Sequence, residues 1–293
     1  NQKIFNYSVL RRVFISFKYI IQKTNGNIDY INKCIKIGIS FLSYSDENKK
    51  KLRDKCETEN IMKEYQKICK LENSFAKFCS FLMEGFKQQL IESGNINELT
   101  QIFNLQDQDR SYSSKIIFWV SISLFFEQNI ENVVSFCLSN ILNSLPITRY
   151  QAIKGILLIL KKYNLSDYDL ILQYILEYLN QEESEYSENA KSTDHAVTIL
   201  TKIMEYNPQY KSNLEIFNIW FHALPIFTKD SHYVHKVFSE YLLEKRDVFL
   251  KEEYLEESLR IISKIYSGNK IDEETKYTFW KFCNEALHSQ ATS

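Results

Sequence analysis

The chain has 293 residues, a formal net charge of −1 and 44% hydrophobic residues. The near-zero charge argues against a general nucleic-acid binder, because phosphate contacts require an excess of lysine and arginine. With only 6 Gly and 3 Pro, the sequence disfavours strands joined by tight turns and favours long helices with short links.

Cysteine spacing bears on the redox compartment, and hydropathy bears on membrane insertion. The six cysteines form no CxxC pair and show no regular spacing, so we expect buried free thiols in a reducing compartment, with paired disulfides as the alternative. No run of about 18 uncharged apolar residues occurs, so we expect no membrane insertion. The chain begins with Asn1 rather than Met, so we expect it to be a fragment of a longer protein.

Helical periodicity predicts the elements in chain order. A first pair of helices at 3–22 and 28–43 is followed by a charged helix near 46–70. Five further pairs show apolar residues recurring every three or four positions: 74–92 with 112–127, 129–143 with 147–163, 167–180 with 187–206, 212–223 with 230–246, and 253–267 with 272–287. The polar stretch 95–111 is expected to be a loop.

Glycine and proline mark the expected helix ends. Gly94 fits the end of the helix at 74–92, and Pro208 and Pro225 each follow a helix, because the residue before proline avoids the α region. Helix pairs recurring at roughly 35 to 40 residues predict an all-α fold, an α-solenoid of HEAT-type antiparallel helix pairs in a right-handed superhelix. We expect preceding helices in residues 1–73 and five HEAT-type repeats in residues 74–293.

The link between two predicted helices, at 181–194, is strongly acidic. Against a single lysine it carries five carboxylates: Glu182, Glu183, Glu185, Glu188 and Asp194. One interpretation is a solvated loop without a specific function. The other is a surface that attracts basic partners through complementary charge.

Candidate catalytic and metal-binding residues have structural explanations. His232 and His235 are three residues apart on a predicted helix, but two ligands do not make a metal site. Asp194 and His195 are adjacent in a helix and point in different directions, so we expect a helix cap and a packed histidine. The six scattered glycines cannot form a phosphate-binding loop. We therefore predict no enzymatic activity, no cofactor and no metal.

Several apolar residues could also be considered functional, but core packing explains them. Cys69, Cys79 and Cys137 lie among apolar neighbours and are expected in the core rather than as nucleophiles. Trp220 and Trp280 are likewise expected in the core, with stacking on a ligand as the alternative.

Three blocks of residues follow one another in the second half of the chain. Arg149, Ala152 and Gly155 open the predicted helix 147–163, and a Lys-Ile-Met sequence at 202–204 precedes a proline four residues later. Trp220 is followed four and five residues later by Leu-Pro, the proline being Pro225. In this order the blocks resemble the late HEAT repeats of the importin-β (karyopherin-β) family, most of all the importin-five (importin beta-three) subtype.

The resemblance extends over roughly residues 60–290 and implies a function. It implies the C-terminal part of a nuclear transport receptor, located in cytoplasm, nucleus and nuclear pore. Such receptors bind protein cargo inside their arch and the phenylalanine-glycine repeats of nucleoporins between outer helices. GTP-bound Ran releases the cargo, mainly through N-terminal repeats that this chain would lack.

If the resemblance holds, the acidic residues at 182–194 would pair with lysines and arginines of basic cargo proteins. The alternative is a structural scaffold, a HEAT-repeat subunit of a large assembly that does not shuttle. A fixed scaffold would be held by a large, apolar and salt-resistant interface, whereas cargo binding would be reversible and salt-sensitive.

Overall fold

The computed structural model describes residues 7–53, 59–106, 110–165, 168–268 and 271–291. Within these ranges the regular structure consists of α-helices and one 3₁₀ turn, without a β-strand. The prediction of an all-α fold is confirmed. The chain divides into two compact units, Asn1–Tyr163 and Asn164–Ser293.

The first unit contains eight helices in its described part. They are α1 (Tyr7–Lys23), α2 (Ile28–Arg53), α3 (Glu59–Gly85), α4 (Lys87–Glu92), α5 (Asn95–Ile102), α6 (Tyr112–Phe126), α7 (Ile130–Leu138) and α8 (Pro146–Lys162). The boundary that we expected between residues 73 and 74 falls inside α3. The charged helix expected at 46–70 is not one element, because its first residues belong to α2 and its last residues belong to α3. Ile68, Leu71 and Phe75 continue one buried stripe past residues 73 and 74, so α3 runs through the expected boundary.

Residues 95–102 form the helix α5, so the loop prediction was wrong for this part of 95–111. Leu99 and Phe103 are both fully buried, and two such residues are enough to hold a short polar helix against the core. Gly94 has a left-handed backbone (φ 72°) and stands directly before α5. Residues 107–109 of the expected loop lie outside the described residues.

Four helices of the first unit, α1, α3, α6 and α8, pack side by side in a row. α1 packs on α3, α3 packs on α6, and α6 packs on α8, while α2 and α7 lie beside this row. Two glycines permit close packing. A Cβ atom on Gly38 would lie 2.2 Å from the ring of Phe75, and one on Gly155 would lie 2.8 Å from Val120 Cγ2. Gly155, which carries part of the family resemblance, therefore lets α8 approach α6 closely.

A buried ion network ties three segments of the first unit together. Glu72 on α3 is fully buried, and its Oε1 lies 2.6 Å from the Lys49 ammonium on α2. Its Oε2 accepts a 2.9 Å hydrogen bond from the backbone N–H of Ser111, just before α6. Arg110 lies beside Glu72 and also forms a bidentate ion pair with the carboxylate of Asp46 on α2. The buried charge of Glu72 is thus paired, and the network extends to the partly exposed Asp46.

The second unit contains eight further helices in its described part. They are α9 (Tyr168–Leu179), α10 (Ala190–Tyr206), α11 (Pro208–Ser212), α12 (Leu214–His222), α13 (Ser231–Glu244), α14 (Arg246–Phe249), α15 (Glu252–Gly268) and α16 (Glu273–Ala291), with the 3₁₀ turn Glu182–Glu185 between α9 and α10. α10 packs on α13 and α13 packs on α16, which makes a second row.

Trp220 is the centre of an aromatic cluster in the second unit. It is fully buried, and its Nε1 donates a 2.9 Å hydrogen bond to Thr201 Oγ1 of α10. Its ring lies 5.2 Å from that of Tyr241 and 6.2 Å from that of Phe238, both on α13. The prediction of a core role for Trp220 is confirmed.

Trp280 does not lie in the core, so that prediction was wrong. Its side chain is 58% exposed and stacks on the exposed ring of Tyr277, one turn earlier on α16. Helical spacing places Trp280 on the side of α16 that no described neighbour covers, whereas Phe279 beside it is buried. Periodicity identifies a helix but does not show which side of it the core meets.

The cysteines behave as core residues where the structure describes them. Cys34, Cys69, Cys79 and Cys137 are free and buried, and Cys283 is free and half-buried; Cys56 lies outside the described residues. Burial raises the pKa of the Cys69 and Cys137 thiols to about 12, so both remain protonated at neutral pH.

Candidate functional site

An open groove in the second unit brings together several residues of the acidic link. It lies between the end of α9, the 3₁₀ turn, the first half of α10, the end of α12 and the segment that follows α12. Its volume is about 730 Å³, within the usual range for ligand sites. We call it the acidic groove, and the lining residues that matter here are Glu182, Glu185, Asp194, Asn218, His222 and Phe227.

Two hydroxyl side chains hold the 3₁₀ turn Glu182–Glu185 in place through hydrogen bonds. Ser184 is buried, and its Oγ donates a 3.1 Å hydrogen bond to the carbonyl of Leu179 at the end of α9. Thr193 on α10 donates a 2.6 Å hydrogen bond to the carbonyl of Ser184. Because Ser184 in the middle of the turn is buried, Glu182 and Glu185 on either side of it are exposed on the groove wall.

Asp194 has a different role from the glutamates. It lies in the second turn of α10 rather than at the helix start, so the cap expected there was wrong. Its carboxylate accepts a 2.8 Å hydrogen bond from the backbone N–H of Phe227 and a second from that of Thr228. Burial raises the pKa of Asp194, and these two hydrogen bonds oppose the rise. Asp194 thus fixes the opposite wall of the groove while still adding charge to its lining.

The remaining two acidic residues are not brought into the groove by any described contact. Glu188 is exposed and is not part of the lining. The side chain of Glu183 lies outside the described part of the chain. Of the five carboxylates predicted from the sequence, the structure therefore brings Glu182, Glu185 and Asp194 together.

Besides Pro225, which the family resemblance singled out, the opposite wall consists of residues that sequence reasoning did not identify. Asn218 and His222 come from α12, and Asn218 Oδ1 accepts a hydrogen bond from Tyr254 (3.2 Å). Phe227 is 57% exposed, and its ring lies where a Cβ atom on Gly268 would approach within 2.9 Å. An aromatic residue two positions after a Leu-Pro step is the one sequence signal that could have pointed to this wall.

The charge and the shape of the acidic groove determine what it can bind. Its described lining contains three carboxylates and neither a lysine nor an arginine. Pro225, Phe227 and Ile219 add apolar surface beside these charges. Such a lining suits a cationic segment with an apolar side chain, because charge steers the approach and apolar contact holds the bound state.

The four residues that carry the family resemblance have structural contacts. Arg149 Nη1 donates a 2.9 Å hydrogen bond to the carbonyl of Asn143 and so fixes the start of α8. Gly155 permits the close approach of α8 to α6, Trp220 centres the aromatic cluster, and Pro225 lines the acidic groove.

The histidines of α13 do not assemble a metal site in the described chain. His232 Nε2 lies 3.1 Å from Asp272 Oδ2, but Asp272 also accepts a 2.7 Å hydrogen bond from the backbone N–H of Thr275 at the start of α16. His235 is fully buried one turn away. No group of three or more His, Cys, Asp or Glu that could hold a metal ion occurs among the described residues.

None of the described helices combines the length and the apolar character needed to cross a membrane. No protein-family model matches this sequence, and a search of curated proteins finds no significant match. The resemblance to the importin-β family therefore stays a prediction.

Proposed function

We propose that this chain belongs to a helical-repeat receptor for other proteins, and that the acidic groove receives a basic segment of the partner. One observation carries the proposal: Glu182 and Glu185 are held on the wall of an open groove with Asp194, without a neighbouring cation in the described lining. Solvent-exposed carboxylates gain little from one ion pair, so several are needed to select a basic partner. The anchored turn keeps them together before the partner arrives.

The finer architecture that we propose is an α-solenoid of HEAT-type antiparallel helix pairs. Repeats in a solenoid contact only their neighbours, so equivalent helices pack side by side in rows. The rows α6–α8 and α10–α13–α16 agree with this arrangement, since each joins the second helices of successive predicted pairs. A right-handed superhelix and five repeats in residues 74–293 are part of the same proposal.

We further propose the specific role implied by the resemblance, that of the C-terminal part of a nuclear import receptor. Basic cargo would occupy the acidic groove, and Ran-GTP, bound mainly through other repeats, would release it. Binding of cargo and of Ran would then be coupled, and such coupling is reciprocal. Nucleoporin repeats would bind elsewhere on the solenoid.

The groove assignment is tested with paired charge reversals and a fluorescent lysine-rich peptide that carries one leucine. The double variant Glu182→Lys/Glu185→Lys is expected to weaken binding about tenfold, since two attractive charges become repulsive. Glu188→Lys is the matched control, because it changes the charge of the same link outside the groove lining and should alter affinity less than about twofold. Equal losses in both variants would show that only the net charge of the link matters.

The transport role is tested separately, with the full-length native protein recovered from cell extract. Adding Ran locked in its GTP form is expected to release bound basic proteins. If the same proteins stay bound with and without Ran, the protein is not an import receptor, even if the groove result is positive.

A fixed scaffold is the second candidate, and a specific observation favours it. Large apolar side chains are exposed on α1, at Val9, Ile15 and Tyr19, and on α16, at Tyr277 and Trp280. Tyr277 and Trp280 stack side by side, and exposed apolar surface of this kind commonly marks a stable protein interface. A scaffold predicts partners that survive about 1 M salt, whereas groove binding predicts partners that dissociate well below it.

A further inference from the structure

A second groove, of opposite charge, lies in the first unit between α3, α6 and α8. Its volume is about 280 Å³, and we call it the basic groove. Val120 and Leu124 of α6 and Leu158 of α8 form apolar lining, with Lys77 of α3 and Lys154 of α8 beside it. Glu84 is the one carboxylate in this lining.

Lys77 of α3 lies near cations of two other helices, α1 and α8. Arg11 and Lys18 of α1 and Lys154 of α8 are all close enough to act electrostatically on the Lys77 ammonium. Partial burial, followed by these three cations, lowers the pKa of Lys77. Like charges held together on packed helices repel one another, so a carboxylate that enters this region relieves the repulsion as well as forming new pairs.

The apolar lining shows that charge alone would not fill the groove. Gly155 also lines the groove, at the point where α8 packs closely on Val120 of α6. A volume of this size takes one or two side chains, so a ligand must offer an apolar anchor with acidic residues beside it. Phe125 is the single aromatic residue of the described lining, too few for the stacking platform that single-stranded nucleic acid requires.

We propose that the basic groove is a second protein-docking site, which binds an acidic segment carrying an apolar anchor, of the pattern Asp/Glu–Leu/Phe–Asp/Glu. The apolar anchor rests on the half-buried Leu124 and Leu158, and the flanking carboxylates face Lys77 and Lys154. This site lies in a different unit from the acidic groove and takes ligands of opposite charge, so the proposal stands independently of the proposed function.

The test is a selection of random displayed peptides on the whole chain, followed by affinity measurement of the selected peptides by fluorescence anisotropy. The variant Lys77→Glu/Lys154→Glu reverses the groove charge. Lys36→Glu/Lys50→Glu is the matched control, because both lysines are exposed on α2 and neither lines the groove. Equal melting temperatures of the three proteins establish that folding is unchanged.

The proposal expects selected peptides rich in Asp or Glu around one Leu or Phe, whose affinity falls about tenfold in the groove variant and less than about twofold in the control. Equal affinities for the wild type and the groove variant would overturn it, as would a selection that yields no acidic peptides. A single-stranded oligonucleotide that binds the wild type and displaces the selected peptides would also overturn it, in favour of nucleic-acid binding.

Discussion

The two units differ in what accompanies the aromatic rings of their cores. In the first unit, Glu72 is buried among Lys49 and Arg110, and Gly38 and Gly155 allow helices to approach closely. In the second unit, an aromatic cluster centred on Trp220 fills the space between α10, α12 and α13. The single glycine of this unit, Gly268, is the last residue of α15 and does not lie between these helices. Both units bury aromatic rings, since Phe14, Phe75 and Phe78 pack together in the core of the first unit. The ion network and the close backbone contacts are what the first unit adds to its apolar core.

The first unit thus holds a buried ion network beside an aromatic core, whereas Trp220 centres the core of the second unit. A buried ion network needs each partner in place, because a single unpaired charge in a dry region is costly. An aromatic cluster has no such requirement, but each ring fills a volume that cannot be replaced without leaving a cavity. The units should therefore fail in different ways when one residue is changed.

The largest expected effect comes from removing the centre of the aromatic cluster. Trp220→Ala is expected to lower the free energy of unfolding by about 3 to 5 kcal/mol, through lost contacts, an internal cavity and the loss of the hydrogen bond from Trp220 to Thr201. Chemical denaturation followed by circular dichroism measures it. Trp280→Ala is the control, because its exposed side chain should cost less than about 1 kcal/mol. Similar losses in both variants would contradict the burial of Trp220.

The buried ion network gives the next effect. Glu72→Gln keeps the shape of the side chain but leaves Lys49 and Arg110 without their shared negative charge, so we expect a loss of about 2 to 3 kcal/mol. Asp46→Asn is the comparison, since Asp46 is partly exposed and pairs only with Arg110 in the described network. A smaller loss for Glu72→Gln than for Asp46→Asn would show that Glu72 is not the centre of the network.

The second unit should show a pH dependence that the buried His235 explains. Burial, with a smaller contribution from His232, lowers the pKa of His235 to about 4, from about 6.5 in the unfolded chain. Because the unfolded state binds this proton first, stability is fully present above pH ~6.5 and falls toward pH ~4, by roughly 2 to 3 kcal/mol. His232, three residues earlier on α13, is the group that acts electrostatically on His235.

Denaturation midpoints of the wild type and His235→Leu at several pH values isolate this contribution. Leucine fills a similar volume without a titrating group, so the variant should lose less stability between pH ~6.5 and pH ~4 than the wild type. Parallel pH profiles would show that His235 is accessible to water and can accept a proton in the folded state.

The smallest effect concerns close helix packing in the first unit. Gly155→Ala would place a methyl group 2.8 Å from Val120 Cγ2 and 3.2 Å from Cys137 Sγ, so we expect a loss of about 1 kcal/mol after the gain in helix propensity. Gly85→Ala is the control, because nothing lies within 4 Å of the new Cβ atom. A thermal melt that shows Gly155→Ala to be the more stable of the two would mean that α8 can move away from α6.

The class of fold and most helix positions could be predicted from the amino-acid sequence. Periodic apolar residues are a local property, so α10 and α15 lie close to the ranges expected for them, and Trp220 proved to be core. Even the acidic link was visible, since clustered carboxylates need no structure to be counted. α5 was missed because Leu99 and Phe103 are too few to produce a periodic pattern.

Tertiary structure alone decided which surfaces meet. Asp194 bonds to the backbone of Phe227, 33 residues away, and no local pattern contains that pairing. Trp220 and Trp280 both lie on amphipathic helices, yet only Trp220 is buried, while Trp280 stacks on Tyr277 of its own helix and stays exposed. The same holds for the two grooves, whose walls come from helices separated in the chain. Helix formation follows from neighbouring residues, whereas charge complementarity and burial depend on contacts between distant ones.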